Sequence, residues 1–269
     1  MLGMNERAQE YPAAFCGIAV MAKASCPGQA KTRLCPPLTF EEAAALNTAF
    51  LKDIADNLIA VSAHASIAGS MAFGPPGSES FFRANLPPAI ALHEVWYPDL
   101  GACLIETLQW LFAAGHRVAC VLNADSPTLP ASLLVETASV LAEDGDRAVF
   151  GPSADGGYYL LALKAQHPRL FEDIAWSTPI VAQQTLERAA EIGLPVHILP
   201  EWYDVDDCEG IRVLMAELLE GRSFARSLRS SPARHSLALL KSMVSNSDLR
   251  ERLDRFVQAG LARPEGAAA

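Results

Sequence analysis

The chain has 269 residues, about half of them apolar, and a formal net charge of −10. That length suits one large α/β domain or two small ones with a sizeable core. No apolar stretch reaches the roughly 18 residues of a membrane span, and the acidic balance argues against broad nucleic-acid binding.

The six cysteines form no CxxC pair and no zinc spacing, and the six histidines form no HxxxH or HExxH pattern. Reduced thiols in a cytoplasmic protein are the simplest reading. Residues 1–14 read as a loose leader. Glu6, Arg7 and Glu10 stand there with no hydrophobic segment after a basic start, which argues against a secretory signal.

A first strand is expected over Phe15–Ala22, an apolar run without polar alternation, as in a parallel sheet covered on both faces. A Pro-Gly loop with Lys31 and Arg33 follows, from Lys23 to Pro37. Thr39 and Glu42 have capping-box spacing and open a helix whose buried stripe is Leu46, Phe50, Ile54 and Leu58. Strands are expected over Ala65–Ala72 and His93–Trp96, with a turn at Gly74–Gly77. A helix spans Gly101–Ala114, with Gly115 at its C-cap. Val118–Leu122 is a further apolar strand, and a helix follows Pro130. Ala148–Phe150 and Tyr158–Leu163 are strands joined by a glycine-rich loop. Thr178 and Pro179 are expected to be N-cap and first residue of a helix. Val196–Leu199 is a last strand and Cys208–Leu219 a helix. Strand and helix alternate throughout, so a three-layer α/β domain is expected over residues 15–221. Helices over Leu237–Val244 and Leu249–Leu261 form a C-terminal extension, residues 222–269, with a frayed Ala-rich end at Gly266–Ala269.

Four stretches could carry chemistry. Gly28-Gln29-Ala30-Lys31-Thr32 is no P-loop, because Ser25 and Ala30 stand where GxxxxGK[ST] needs glycines. Lys31 and Arg33 could still hold phosphates by point charge and fork geometry; the alternative is two solvated cations before a helix. Asp125 follows an apolar strand, at the sheet edge where open α/β folds bind ligands. It is placed to hold Mg²⁺ or Mn²⁺, or merely to cap the Ser126-Pro127 turn. In Asp204-Val205-Asp206-Asp207, Asp206 or Asp207 suits a helix N-cap, and a second metal ligand is the sharper reading. Asp155-Gly156-Gly157 lets backbone approach a ligand closely, or makes a turn. Tyr158 and Tyr159 read as strand residues, and Trp176 as a pocket wall or a buried core residue.

In order, PGxxKTRL, DLG, DSPTLP, GPSADGGYYLLAL, WST and DVDD span roughly residues 15–220. This series resembles the bacterial GT-A-like glycosyltransferases known as radical-SAM/selenodomain-associated or arsenosugar-biosynthesis-type transferases. They are relatives of 2-phospho-lactate guanylyltransferase and the molybdenum-cofactor nucleotidyltransferases. The resemblance implies a three-layer α/β/α nucleotide-diphospho-sugar transferase fold, GT-A or Rossmann-like, with a mostly parallel sheet. It implies catalytic Lys31, Arg33 and Asp125, and a nucleotide site at Ala22, Lys23, Gly28, Lys31, Arg33 and Asn123. Asp155, Gly156, Gly157, Trp176 and Ser177 would border the substrate, and Asp125, Asp204 and Asp206 would bind the metal. Only the last acid of a DxD motif is present in Asn123-Ala124-Asp125. Relatives usually carry Gly-Gly before DLG and a basic residue after it; here Trp96-Tyr97-Pro98 precedes DLG, and Cys103 stands where the Arg is expected.

The reading is a metal-dependent glycosyltransferase with a nucleotide-sugar donor and a small-molecule acceptor. The alternatives are a nucleotidyltransferase that couples an NTP to a phosphorylated small molecule, and a nucleotide-binding module that has lost catalysis. The C-terminal helices offer a surface for homo-oligomerisation. No Cys/His or Ser/His arrangement suggests a covalent nucleophile, so direct displacement is favoured.

Overall fold

The computed structural model describes residues 14–261. The expected leader, up to residue 13, and the Ala-rich end lie outside the described residues. Seven strands form one sheet: β1 (Cys16–Lys23), β2 (Ile67–Gly74), β3 (Ala91–Glu94), β4 (Val118–Leu122), β5 (Ala148–Pro152), β6 (Tyr158–Leu163) and β7 (Val196–Ile198). Their order is β3-β2-β1-β4-β6-β5-β7. Every pairing is parallel except those of β6, which runs antiparallel to β4 and β5. The chain builds outward from β1 to β3 and then returns to place β4 on the other side of β1. That reversal opens a crevice outside the carboxyl ends of β1 and β4.

Among the described residues eight α-helices flank the sheet, the last three in succession after β7: α1 (Phe40–Ser62), α2 (Glu79–Asn85), α3 (Leu100–Ala113), α4 (Ala131–Ala142), α5 (Val181–Glu191), α6 (Cys208–Glu220), α7 (Arg234–Asn246) and α8 (Leu249–Leu261). The strands feed two cores because alternate side chains leave opposite faces. Ile18, Val20, Cys120 and Leu122 pack with α1, α4, α6, α7 and α8. Ala19, Ala119 and Val121 pack with α3 and α5. The result is the three-layer α/β/α architecture of nucleotide-diphospho-sugar transferases. Among the described residues, no helix is long and apolar enough to cross a membrane.

The capping box is present: Thr39 Oγ1 accepts from Glu42 N–H, and the Glu42 carboxylate accepts from Thr39 N–H. Leu46, Phe50, Ile54 and Leu58 are all buried. Two expected helix starts differ: α7 begins at Arg234 rather than Leu237, and α5 begins later than expected. The helix α5 begins at Val181 with Ile180 at its N-cap. Thr178 donates its hydroxyl backwards to Ala175 O, 2.7 Å away, so Thr178 and Pro179 form a turn that precedes the helix. The short α2 has no apolar repeat; only Phe82 is buried on it.

The C-terminal helices join the main core rather than standing apart. Leu240, Met243, Leu249 and Leu253 are buried in it. The α7 N-terminus is held by Asp53 of α1, whose carboxylate accepts from the His235 and Ser236 amides and from the Ser236 hydroxyl, at 2.6–2.8 Å. Satisfying these orphan amides across two helices locks the extension onto the sheet layer.

Candidate functional site

Two cavities meet at the carboxyl ends of β1 and β4. The smaller, about 260 Å³, is lined by Met21, Lys23, Asn47, Lys31, Arg33 and Asp125 among others. The larger, about 470 Å³, runs under Trp176 towards Asn123, Asp155 and Asp204. Arg33, Asp125 and Asp206 border both.

The loop after β1 turns through Lys31, which takes a left-handed conformation with φ 52° and ψ 39°. This turn drives its side chain inward. The ammonium reaches Asp125 Oδ1 at 2.5 Å, Asp206 Oδ1 at 2.8 Å and Val205 O at 2.9 Å. An ammonium has three N–H donors, so Lys31 spends all of them on the protein. Lys31 thus cross-braces the two acidic loops. Arg33 differs: it pairs with Asp206 but stays largely exposed, and its planar fork remains at the mouth of both cavities. Asn47 holds the loop from beneath, donating to Lys23 O at 3.0 Å and to Ser25 Oγ at 2.9 Å.

The acids reach one place because two loops are stitched together. Val205 N–H donates to Asp125 O at 2.9 Å, and Ser126 Oγ donates to Tyr203 O at 2.9 Å. Thr128 Oγ1 donates to Tyr203 Oη, which in turn donates to Glu217 at 2.6 Å. Asp207 is the N-cap of α6, accepting from Gly210 N–H at 2.9 Å. That leaves Asp204 and Asp206 on the cavity side, with Val205 buried between them.

Electrostatics separates the carboxylates. Burial pushes Asp206 up, but the Lys31 charge and hydrogen bond, with Arg33, outweigh it and hold Asp206 below the ordinary range. Burial raises Asp125, and the attraction of Lys31 offsets it only in part. Asp204 is pushed up to about 7 by burial and by the neighbouring charges of Asp155, Asp206 and Asp125. For Lys31, burial opposes the charge, yet Asp125 and Asp206 keep its ammonium above the usual lysine range.

Among the described residues, no group of three or more His, Cys, Asp or Glu side chains is arranged to hold a metal ion. The expected trio of Asp125, Asp204 and Asp206 is divided by Lys31, which takes an oxygen from each of two members. The donor chemistry still fits a hard cation. Asp125, Asp155, Asp204 and Asp206 face two cations, Lys31 and Arg33. The surplus is oxygen-only and negatively charged, which suits Mg²⁺ or Mn²⁺ and not a soft metal.

The larger cavity has an apolar wall of Leu100, Leu104, Tyr158, Trp176 and Val181. Trp176 is half-buried and leans on Gly101, where a Cβ would lie 3.1 Å from the indole. Beside it, Ser177 adopts a left-handed backbone, φ 64°. Such strain in a non-glycine residue concentrates at functional sites. The Tyr158 hydroxyl is buried without a hydrogen-bond partner. Asp155 accepts from Gly157 N–H at 2.8 Å, the turn reading of that loop, and its carboxylate also borders the cavity.

Of the expected nucleotide and substrate residues, Lys23, Lys31, Arg33, Asn123, Asp155, Gly157, Trp176 and Ser177 line one cavity or the other. Three do not. Ala22 is buried in the core, because the strand pleat sends it opposite to Met21 and Lys23. Gly28 is an exposed turn residue with φ 73° and nothing near its Cβ position. Gly156 packs against the Pro179 backbone. Asn47, Met21, Leu100 and Leu104 were missed. Asn47 carried a signal, being a polar residue beside Leu46 of the buried stripe.

A family model described as "Uncharacterized protein conserved in bacteria (DUF2064)" matches residues 57–178. No curated protein matches the chain. Among solved structures, the chain is similar to one from Desulfovibrio desulfuricans G20 described as a candidate nucleotide-diphospho-sugar transferase. Identity is 28% and the TM-score 0.75, over 89% of this chain and 98% of the other. A cytidylyltransferase from Leptospira borgpetersenii is more distant, at 11% identity and TM-score 0.49 over 88% and 96% of the two chains.

Proposed function

We propose that this protein is a transferase that moves a sugar from a nucleotide-sugar to a small hydroxylated acceptor, assisted by Mg²⁺ or Mn²⁺. The observation that carries this reading is the charge of the larger cavity. Its lining has four carboxylates, Asp125, Asp155, Asp204 and Asp206, against two cations, Arg33 in the lining and the Lys31 ammonium that bridges Asp125 and Asp206. A phosphorylated acceptor, which nucleotidyl transfer requires, would bring its anion beside the Asp155 carboxylate. At 4 Å, such a like-charge pair costs about 4 kcal/mol at an effective dielectric near 20, before screening by salt. A neutral hydroxyl acceptor avoids that repulsion and can lay an apolar face on Trp176 and Leu104. The likeness to the Desulfovibrio structure supports the donor class.

Asp125 and Asp204 would hold the cation, since each keeps a carboxylate oxygen outside the Lys31 bridge; the ion would supply charge neutralisation at the donor diphosphate. Arg33 faces the same diphosphate. Lys31 positions Asp125 and Asp206 and does not touch the donor. The acceptor oxygen attacks the anomeric carbon, the bond from that carbon to the diphosphate oxygen breaks, and the nucleoside diphosphate leaves with the electron pair. The acceptor proton passes to Asp155, whose second oxygen is free of the Gly157 hydrogen bond.

A thermal-shift panel of NTPs, NDPs and nucleotide-sugars, with and without Mn²⁺, tests this. Ligands that bind the native state raise Tm by mass action. A metal-dependent shift with a nucleotide-sugar or NDP is expected. A shift with NTPs alone would move the assignment to nucleotidyl transfer, and no shift with any ligand would overturn the nucleotide reading.

A further inference from the structure

Two large aromatic side chains stand exposed at the carboxyl edge of the sheet, just beyond β3. Trp96 is 51% exposed and Tyr97 is 46% exposed. An exposed indole is costly to leave in water, and here it is held in place. Its ring packs on the end of β2: a Cβ on Gly74 would fall 2.0 Å from the Trp96 ring. Gly74 pairs in register with Lys23, and Gly74 O accepts from Ala24 N–H at 2.9 Å. The turn after Trp96 is fastened as well. Cys103 Sγ accepts from Tyr97 N–H at 3.3 Å, and Asp99 caps α3 through Ala102 N–H at 2.9 Å.

Lys23 joins this aromatic ledge to the site. Its ammonium stands 6.0 Å from the Trp96 ring centroid, while the same residue lines the smaller cavity with Arg33, Asn47 and Asp125. A ligand gripped at Arg33 and extending past Lys23 would meet a half-exposed indole backed by Gly74.

We infer that Trp96 is the stacking platform for the base of the nucleotide donor, with Lys23 as the cationic link between base and phosphates. This rests on the nucleotide reading above. A flat heteroaromatic ring fits the ledge, because stacking on an indole needs only a π-face and tolerates any base. Cys103, which stands where a basic residue is expected, would then support the platform by bonding the Tyr97 backbone.

The test measures binding of UDP, ADP, GDP and CDP, and of inorganic pyrophosphate, by calorimetry with Mn²⁺ present. Base–aromatic stacking is worth about 1–3 kcal/mol, or roughly 5- to 150-fold in affinity. The variant Trp96→Ala should lose at least about 5-fold for the preferred NDP and stay within about 2-fold for pyrophosphate. Trp96→Phe should keep most of the NDP affinity and lose the part of the nucleotide-induced tryptophan quench that Trp96 provides. Unchanged NDP affinity in Trp96→Ala, or an undiminished quench in Trp96→Phe, overturns the platform while leaving the donor reading intact. Wild-type protein that binds pyrophosphate but no NDP overturns both.

Discussion

The Lys31 ammonium sits 2.5 Å from the Asp125 carboxylate, with the lysine side chain only 6% exposed. The same ammonium holds Asp206 at 2.8 Å. One buried cation therefore ties the loop after β1 to the acids after β4 and β7. Removing it would leave Asp125 without its ion-pair partner beside Asp206, which would keep only Arg33. Lys31→Met should destabilise the fold by roughly 2–3 kcal/mol. That is below the 3–5 of a fully buried pair, because both acids keep some contact with water. Adding Asp206→Asn should recover part of the loss. Urea denaturation reads both, and a Lys31→Met midpoint equal to wild type would refute the bracing role.

Asp125 can be tested apart from folding. Asp125→Ala leaves Lys31 its bonds to Asp206 and Val205 O, so Tm should fall by no more than a few degrees. Metal-dependent nucleotide binding should disappear. Calorimetric titration of NDP with and without Mn²⁺ decides it. Binding that stays as metal-dependent as in wild type would remove Asp125 from the cation site.

The strands and the capping box were readable because their signals are local. Val118–Leu122 and Tyr158–Leu163 are bounded in the structure as their apolar runs suggest. The same holds for the acids as residue types: Asp125, Asp155 and Asp204 line one cavity. Geometry set by distant partners was not readable. Lys31 looked like an exposed phosphate ligand, and only the left-handed turn and the stitch between Asp125 and Val205 bring it inward. The resemblance put Ala22 and Gly28 with Lys23 in the nucleotide site, but the strand pleat and a solvent-facing turn separate them from the cavities. The start of α5 was misplaced for a similar reason, since Thr178 bonds backwards to Ala175.

Gly156 should prove structural in a specific way. Its φ is +89°, and a Cβ there would lie 2.1 Å from Pro179 O. Its carbonyl also accepts from Ala182 N–H in the first turn of α5, at 2.9 Å. Gly156→Ala should therefore push the 177–180 segment away from the larger cavity. The left-handed backbone alone costs roughly 1–3 kcal/mol for a non-glycine residue. Stability should fall, and acceptor KM should rise more than donor KM. A variant with wild-type Tm and unchanged kinetics would show that this contact can relax.

Arg252 of α8 makes the stability of the C-terminal helices depend on acid. Its guanidinium forks onto Glu42 at 2.7 and 2.9 Å and also donates to Pro37 O. Glu42 is thus both the capping-box acid of α1 and the anchor of α8. Burial would raise the Glu42 carboxyl, but the Arg252 hydrogen bonds, the Thr39 amide and the Arg252 charge outweigh it and hold it below the ordinary range. A depressed folded pKa contributes stability that is present above the unfolded value, about 4.3 for glutamate, and lost as pH falls through the folded value. The pair is partly exposed, so its contribution is about 1 kcal/mol. Amide exchange in α8 should accelerate relative to α4 as the pH drops below about 4, after correction for intrinsic rates. Arg252→Gln should remove that difference by loosening α8 already at neutral pH. Equal pH dependence of α8 protection in the variant and the wild type would show that this pair does not anchor the helix.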